Sequence, residues 1–254
     1  MKIVRFSAGK KTGYGILRGQ SIQAIQGKPF RFIRMLDKFY RLSDVRLLAP
    51  VAPDKIVAAA LNYHSHIAEM KEKEPTSPVF FLKPSTAVIG PDADIRYYSD
   101  LTRLDYEGEL GVVMKKKAWQ VPVSEALSYV LGYTCVNDVT ARDLQAKGGP
   151  WTQAKGLDTF APVGPYIETD LDPGDVVVET YLNGERKQQG NTKELIFSVS
   201  ELISAISRVI TLLPGDVIAT GTPEGIGPMF PGDTIEIRIP AVGVLRNRVG
   251  GDRD

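Results

Sequence analysis

The feature that most limits what this chain can become is its punctuation: short β-type runs follow one another from end to end, cut by glycine and proline. In the first fifty residues Lys2 to Phe6, Gly15 to Arg18 and Ser21 to Ile25 alternate with glycine-containing turns, the pattern of a small antiparallel meander. Leu48-Ala-Pro-Val-Ala-Pro53 then sets down two prolines that disfavour helix and central strand alike, so a linker is expected there. It divides a small β-rich domain at 1–50 from a larger domain at 51–254. Beyond it Lys55 to Leu61, Val79 to Leu82, Glu107 to Met114, Val130 to Val136, Val176 to Leu182, Asp216 to Thr220 and Thr234 to Ile239 read as strands. Asn62 to Lys73 is polar and helix-compatible. Helices are expected at Pro122 to Tyr129 and at Ser198 to Thr211, where Val199, Leu202, Ile203, Ile206, Val209 and Ile210 recur at helical spacing behind possible caps Ser198 and Ser200. Strands do not alternate regularly with helices, which disfavours a doubly wound parallel sheet. The expected class is a β-rich α+β fold.

Composition narrows the function. A chain of 254 residues is long enough for one sizeable core. Its net charge of +1 gives no bulk field to draw nucleic acid or an anionic membrane. The dense basic run Lys115-Lys116-Lys117 reads as a solvated hairpin tip, because no aromatic platform accompanies it. Cys135, the single cysteine, sits among Tyr133, Thr134 and Val136 and reads as core. One cysteine without an internal partner suits a reducing compartment. No apolar signal region opens the chain, and no stretch reaches the roughly 18 apolar residues of a membrane span, so a cytoplasmic location is expected.

In Leu104-Asp-Tyr-Glu-Gly-Glu-Leu-Gly-Val-Val-Met114, residues two apart on a strand share a face. Glu107 and Glu109 therefore point one way, Leu110 and Val112 the other. Like charges so close raise each other's pKa unless a cation neutralises them, which makes a bound metal the economical explanation. Pairs at this spacing also occur at Glu72/Glu74, Asp92/Asp94, Asp170/Asp172 and Asp252/Asp254, and most such pairs simply face water. What separates Glu107/Glu109 is the apolar strand after it and a further acid, Asp138, at the end of Leu131-Gly-Tyr-Thr-Cys-Val-Asn-Asp138. Three carboxylates without cysteine or histidine select a hard ion such as Mg2+ or Mn2+ over Zn2+.

The two histidines, His64 and His66, lie in Asn62-Tyr-His-Ser-His-Ile-Ala-Glu69. On a helix His66 and Glu69 are i,i+3 neighbours, so the carboxylate can orient the imidazole as a general base; two surface histidines on a polar helix is the plain alternative. No G-x-S-x-G supports a serine hydrolase. Ala219-Thr-Gly-Thr-Pro-Glu-Gly-Ile-Gly-Pro228 lacks the Gly-Lys-Ser/Thr of a phosphate loop, and its backbone N–H groups with the Thr220 and Thr222 hydroxyls suit either a substrate carboxylate or a tight structural turn. Lys155 stands as a lone cation in Trp151-Thr-Gln-Ala-Lys-Gly-Leu-Asp-Thr-Phe160, positioned for an anionic partner or for plain solvent.

Taken together, these segments resemble the fumarylacetoacetate hydrolase family. The likeness runs through Lys-Ile-Val-Ala-Ala-Ala-Leu-Asn-Tyr63 with His66 and Glu69, Asp105-Tyr-Glu-Gly-Glu-Leu-Gly-Val-Val113, Asn137-Asp-Val-Thr-Ala-Arg-Asp143, Trp151-Thr-Gln-Ala-Lys155 and Leu213-Pro-Gly-Asp-Val-Ile-Ala-Thr-Gly-Thr-Pro223. Several motifs in register are far more specific than any one alone. The resemblance implies that Glu107, Glu109 and Asp138 are metal ligands, that His66 and Glu69 form a lid dyad, that Lys155 is an active-site lysine, and that Gln145 and Thr222 help hold substrate. It also implies a rolled, mixed β-sheet, a homodimer, and one Mg2+ or Mn2+ per chain with Ca2+ as a substitute. Ala60 departs from the pattern, since relatives often carry glycine there.

The chemistry expected from this set is attack on a small 2-oxo acid through a metal-stabilised enolate. Water attack gives acylpyruvate-type hydrolysis, carboxylate loss gives oxaloacetate-type decarboxylation, and reprotonation elsewhere isomerises a 2-hydroxyhepta-2,4-diene-1,7-dioate. The intact dyad favours hydrolase or decarboxylase, with the isomerase as runner-up. A silent 2-oxo-acid-binding module is the rival from outside enzymology, and it has no need of a His/Glu pair on a lid.

Overall fold

The computed structural model describes residues 1–145 and 151–251, so the Asp252/Asp254 pair lies outside the described residues. The chain adopts the β-rich α+β class expected. A long sheet runs in the order Met35–Arg41, Ser21–Ile25, Lys11–Arg18, Lys2–Ala8, Ala161–Glu168, Val130–Asn137, Gly108–Met114, Val217–Ala219, Lys55–Ala60 and Val79–Pro84. A second sheet joins Glu185–Asn191, Val177–Leu182, Thr234–Ile239, Gly243–Gly250 and Asp94–Arg96, and a small third one joins Thr140–Ala141, Leu104–Tyr106 and Gly227–Met229. Most neighbours are antiparallel, but Val217–Ala219 runs parallel to Lys55–Ala60, so the long sheet is mixed.

Alternation along Gly108–Met114 places Leu110 and Val112 in the larger apolar cluster, with Ile235, Ile237 and Leu245 of the second sheet. Val113, one residue along, lies in a second cluster with Ile56, Val136 and Val217. The sheet is thus buried on both faces at its centre, which explains why its middle strands read as nearly continuous apolar runs.

The helix at Ser198 to Thr211 is observed as Val199–Val209, with Ser198 as N-cap and Glu201 completing a capping box. Leu202, Ile203 and Ile206 are fully buried, each contributing about 1.5–3 kcal/mol of apolar burial. Two expectations change. Pro122 to Tyr129 forms a 3-10 helix over Val123–Tyr129 rather than an α-helix, starting just after Pro122. Asn62 to Lys73 shortens to His64–Met70, ended by Lys71 at φ 54°. Lys115, Lys116 and Lys117 are exposed, but they open the long 115–129 connection between two antiparallel strands rather than a tight hairpin.

The N-terminal meander is hydrogen-bonded into the long sheet, where Lys2 and Ile3 face Glu168 and Ile167. The proline stretch after it carries neither helix nor strand from Ala49 to Pro53, and Ala49, Val51 and Pro53 are buried. Cys135 is buried, and burial pushes its thiol up, as a core cysteine requires. No helix of the described residues is long and apolar enough to cross a membrane.

Candidate active site

Glu107 and Asp138 sit where two paired strands leave the long sheet together. Gly108 faces Asn137 in the antiparallel ladder. Just beyond that pair one chain passes into Leu104–Tyr106 and the other into Thr140–Ala141, two strands of the small sheet. The crossing is fixed by hydrogen bonds from the Asp138 N–H to the Glu107 carbonyl (2.8 Å) and from the Glu107 N–H to Asn137 Oδ1 (3.0 Å). The two carboxylates are therefore brought close together. Gly108 explains the Glu-Gly-Glu spacing, because a Cβ there would lie 2.1 Å from Thr180 Oγ1 of the second sheet. Only glycine lets the strand press that close while its acidic neighbours face the other way.

Glu107, Glu109 and Asp138 are all buried, and they offer carboxylate oxygens within 4.8 Å of one another. Oxygens sharing a Mg2+ or Ca2+ at about 2.0–2.6 Å lie no more than about 5 Å apart, so the set could hold a hard divalent ion. Cations of the chain surround it. Lys155, from the short helix Thr152–Lys155, gives Nζ to Glu107 Oε2 at 2.8 Å and Asp138 Oδ2 at 2.7 Å. Lys83, wholly buried, gives Nζ to Asp138 Oδ1 and to the Val139 carbonyl at 3.2 Å. Arg142 gives Nε to Asp105 Oδ2 at 2.8 Å, Nη1 to Gln145 Oε1 at 2.7 Å and Nη2 to Glu107 Oε1.

The two glutamates of the pair are driven apart electrostatically. Burial alone would raise Glu107, but Lys155, Arg142 and His66 hold its carboxyl well below the usual range. Burial, then Asp138 and Glu107, push Glu109 well above it, against the opposing Gly221 N–H and Lys155. Burial pulls Lys83 down despite Asp138, whereas Asp138 and Glu107 outweigh burial and raise Lys155. A cation among the three carboxylates would relieve the strain on Glu109, which is the chemical sense in which the residues fit a metal.

The glycine-rich loop connects the strands Val217–Ala219 and Gly227–Met229, as the structural alternative has it. Its N–H groups do bind carboxylates, but they are the protein's own: Gly221 N–H donates to Glu109 Oε2 (2.7 Å) and Gly225 N–H to Glu69 Oε1 (3.0 Å). Gly221 has φ +102°, and a Cβ there would meet Asn62 at 2.9 Å, so glycine is required. The Thr220 and Thr222 hydroxyls donate to the Leu110 and Gly108 carbonyls, each at 3.0 Å. The loop thereby ties the Glu107/Glu109 pair to the helix carrying the histidines. On that helix His66 Nδ1 lies 3.0 Å from Glu69 Oε2, while His64 is exposed beside Glu74 at 3.2 Å. With Nδ1 engaged by the carboxylate, Nε2 of His66 is the ring nitrogen left for other partners, and none is seen among the described residues.

A cavity of about 630 Å³ joins these groups. Of the residues singled out from sequence, His66, Glu107, Glu109, Gln145, Lys155 and Thr222 line it. Glu69 and Asp138 stand just behind, holding His66 and Lys155. Sequence reasoning missed Lys83, Arg142 and the apolar wall of Phe81, Trp151, Met70 and Val79. Arg142 lies inside the Asn137 to Asp143 motif and was legible there. Lys83 had one signal, a lone charge two residues after Phe81 on an apolar strand.

A family model described as fumarylacetoacetate (FAA) hydrolase C-terminal matches residues 55–250. The chain belongs to the fumarylacetoacetate hydrolase family. Residues 1–50 match a second model, described as Rv2993c-like, N-terminal. Within this family the oxaloacetate tautomerase YisK of Bacillus subtilis is 40% identical over 226 residues, covering 83% of this chain and 75% of the relative. A solved structure of a 5-carboxymethyl-2-hydroxymuconate delta-isomerase from Mycobacterium smegmatis aligns with a TM-score of 0.94 at 41% identity, covering 99% of this chain and 100% of that one. The maleylpyruvate hydrolase of Sphingobium sp. SYK-6, solved in complex with manganese(II) and pyruvate, aligns with a TM-score of 0.82 at 30% identity over 100% of both chains. The chain is thus an enzyme of the fumarylacetoacetate hydrolase family, whose relatives named here carry tautomerase, isomerase and hydrolase names.

Proposed function

We propose that the chain is a divalent-metal-dependent enzyme of small 2-oxo acids, and that C–C cleavage, with acylpyruvate-type hydrolysis foremost and oxaloacetate-type decarboxylation beside it, is its reaction. The observation that carries this reading is the carboxylate-oriented imidazole of His66 sharing one cavity with Glu107 and Glu109. Glu107, Glu109 and Asp138 would hold one Mg2+ or Mn2+ per chain, and the ion when bound would act as a Lewis acid on the paired oxygens of the substrate. Arg142, Gln145 and Thr222 would orient the substrate's polar end, and the ammonium of Lys155 would stand beside the negative charge that develops as the bond breaks.

Glu69 keeps Nδ1 of His66 occupied, so Nε2 would take the proton of a water. That water adds to the carbonyl carbon remote from the substrate carboxylate. The bond from this carbon to the neighbouring methylene then breaks, its electron pair goes to the methylene carbon, and the protonated His66 returns a proton there. An acylpyruvate and water thus become a carboxylic acid and pyruvate. The homodimer implied by the family resemblance is part of the same reading, and sedimentation tests it.

Keto–enol conversion or double-bond isomerisation is the second reading, favoured by the names of the Bacillus subtilis and Mycobacterium smegmatis relatives. It needs the same base without the water. Acetylpyruvate cleavage by the wild type and by His66→Ala, beside Mn2+ binding, tests the assignment. We expect cleavage to fall about 100- to 10,000-fold with Mn2+ affinity unchanged. Parallel loss of both would remove His66 from the chemistry. Fast conversion of enol to keto oxaloacetate without acetylpyruvate cleavage would establish the second reading.

A further inference from the structure

Among the described residues, Lys83 is the one buried cation of the site that the proposed reaction leaves without a task. Its strand, Val79–Pro84, pairs antiparallel with Lys55–Ala60, and Lys83 faces Ile56 in that ladder. The side chain is fully buried and is not among the residues that line the cavity. Burying an ammonium requires a partner, and both partners of Lys83 belong to one turn of chain: Asp138 Oδ1 and the Val139 carbonyl at 3.2 Å.

The two oxygens of Asp138 are thereby made different. Oδ1 is taken by Lys83, which is fully buried. Oδ2 lies 2.7 Å from Lys155 Nζ, the same nitrogen that meets Glu107 Oε2 at 2.8 Å, so Oδ2 is the oxygen that shares an ammonium with Glu107. An aspartate is free to rotate about its last bond, and either oxygen can lead. A carboxylate pinned by one oxygen presents the other in a fixed direction. The Val139 contact adds a backbone anchor to the same ammonium, so the ammonium that holds Oδ1 is itself held in place by the turn.

We propose that Lys83 is a positioning residue of the metal centre: it holds Asp138 by Oδ1 so that Oδ2 leads toward Glu107 and Glu109, and its charge offsets one of the three carboxylates gathered there. Partners that hydrogen-bond a metal-ligating carboxylate typically govern metal affinity by about 10- to 100-fold. The proposal rests on the metal reading above, and its test keeps the two apart.

The test titrates chelator-treated full-length protein with Mn2+ by calorimetry, comparing the unaltered chain with Lys83→Met and following thermal unfolding and acetylpyruvate cleavage in the same samples. The expected result is a Mn2+ dissociation constant 10- to 100-fold weaker in the variant, with kcat recovering to within a few-fold once Mn2+ saturates. A lower unfolding temperature with an unchanged dissociation constant makes Lys83 merely structural and overturns the proposal alone. Absence of Mn2+ binding by the unaltered chain overturns it together with the metal reading. Should Lys83→Met not fold, a crystal structure of the Mn2+-loaded unaltered chain decides: Oδ2 on the ion with Oδ1 kept by Lys83 supports the assignment, and Oδ1 on the ion overturns it.

Discussion

Glu109→Gln should stabilise the protein when divalent cations are stripped away and blunt its response when they return. One carboxylate oxygen of Glu109 lies within 4.8 Å of one oxygen each of Glu107 and Asp138. At an effective dielectric of about 20, a pair of like charges at that separation costs about 3.5 kcal/mol. Lys155 and Lys83 offset part of this, and glutamine keeps the shape and an oxygen for the Gly221 N–H, so a net gain of about 1–3 kcal/mol is expected. For a chain of this size that is a rise in Tm of several degrees, at about 2–4 °C per kcal/mol. The sign with pH follows from the cause. Burial and the two neighbouring carboxylates raise the folded-state pKa of Glu109 above its unfolded value, so wild type and variant converge in acid, where this carboxyl is protonated in both states. Their gap opens as pH climbs above the ordinary carboxylate range. Scanning calorimetry in chelator from pH 4.5 to 8 measures the gap. Mn2+ at about 100 times the wild-type Kd should then add about 2.7 kcal/mol to the wild type and well under half that to the variant. A variant less stable than wild type at every pH without cation, or equal stabilisation of both by Mn2+, would refute the reasoning.

Ser198→Ala removes the cap whose Oγ accepts from the Glu201 N–H at 3.3 Å, and should cost about 1 kcal/mol in urea unfolding. Because Ser198 holds Glu201 below its ordinary pKa, that contribution is present above the ordinary glutamate range and is lost as pH falls through the folded value, so the gap to wild type narrows in acid. Gly108→Ala drives a methyl to 2.1 Å from Thr180 Oγ1 and should cost about 1–3 kcal/mol, with weaker Mn2+ binding because the glutamates on either side must shift.

Local pattern made the strands legible where burial is simple. Thr234–Ile239 alternates intermediate and buried residues, and its predicted limits match those observed. The helix behind Ser198 was legible because its cap and its apolar stripe agree. Val123–Tyr129 misled because a short run with Pro122 before it suits a 3-10 turn as well as an α-helix. At the site, the shared face of Glu107 and Glu109 is a two-residue property and could be read directly. Arg142 could be read only as a member of the Asn137 to Asp143 motif and Lys83 only as a lone charge on an apolar strand, because their partners Asp138, Asp105 and Glu107 are brought to them by folding. The same holds for the glycine-rich loop: its N–H groups reach Glu109 and Glu69 only after folding, and no spacing along the chain announces that pairing.

The most direct test of the account is an anomalous-scattering map at the manganese edge, from crystals soaked with Mn2+ and oxalate as a stand-in for the enolate of pyruvate. The account predicts one peak per chain, within about 2.6 Å of oxygens from Glu107, Glu109 and Asp138, with oxalate beside it on the His66 side of the cavity. A peak elsewhere, or none at saturating Mn2+ while the protein remains folded, would contradict it.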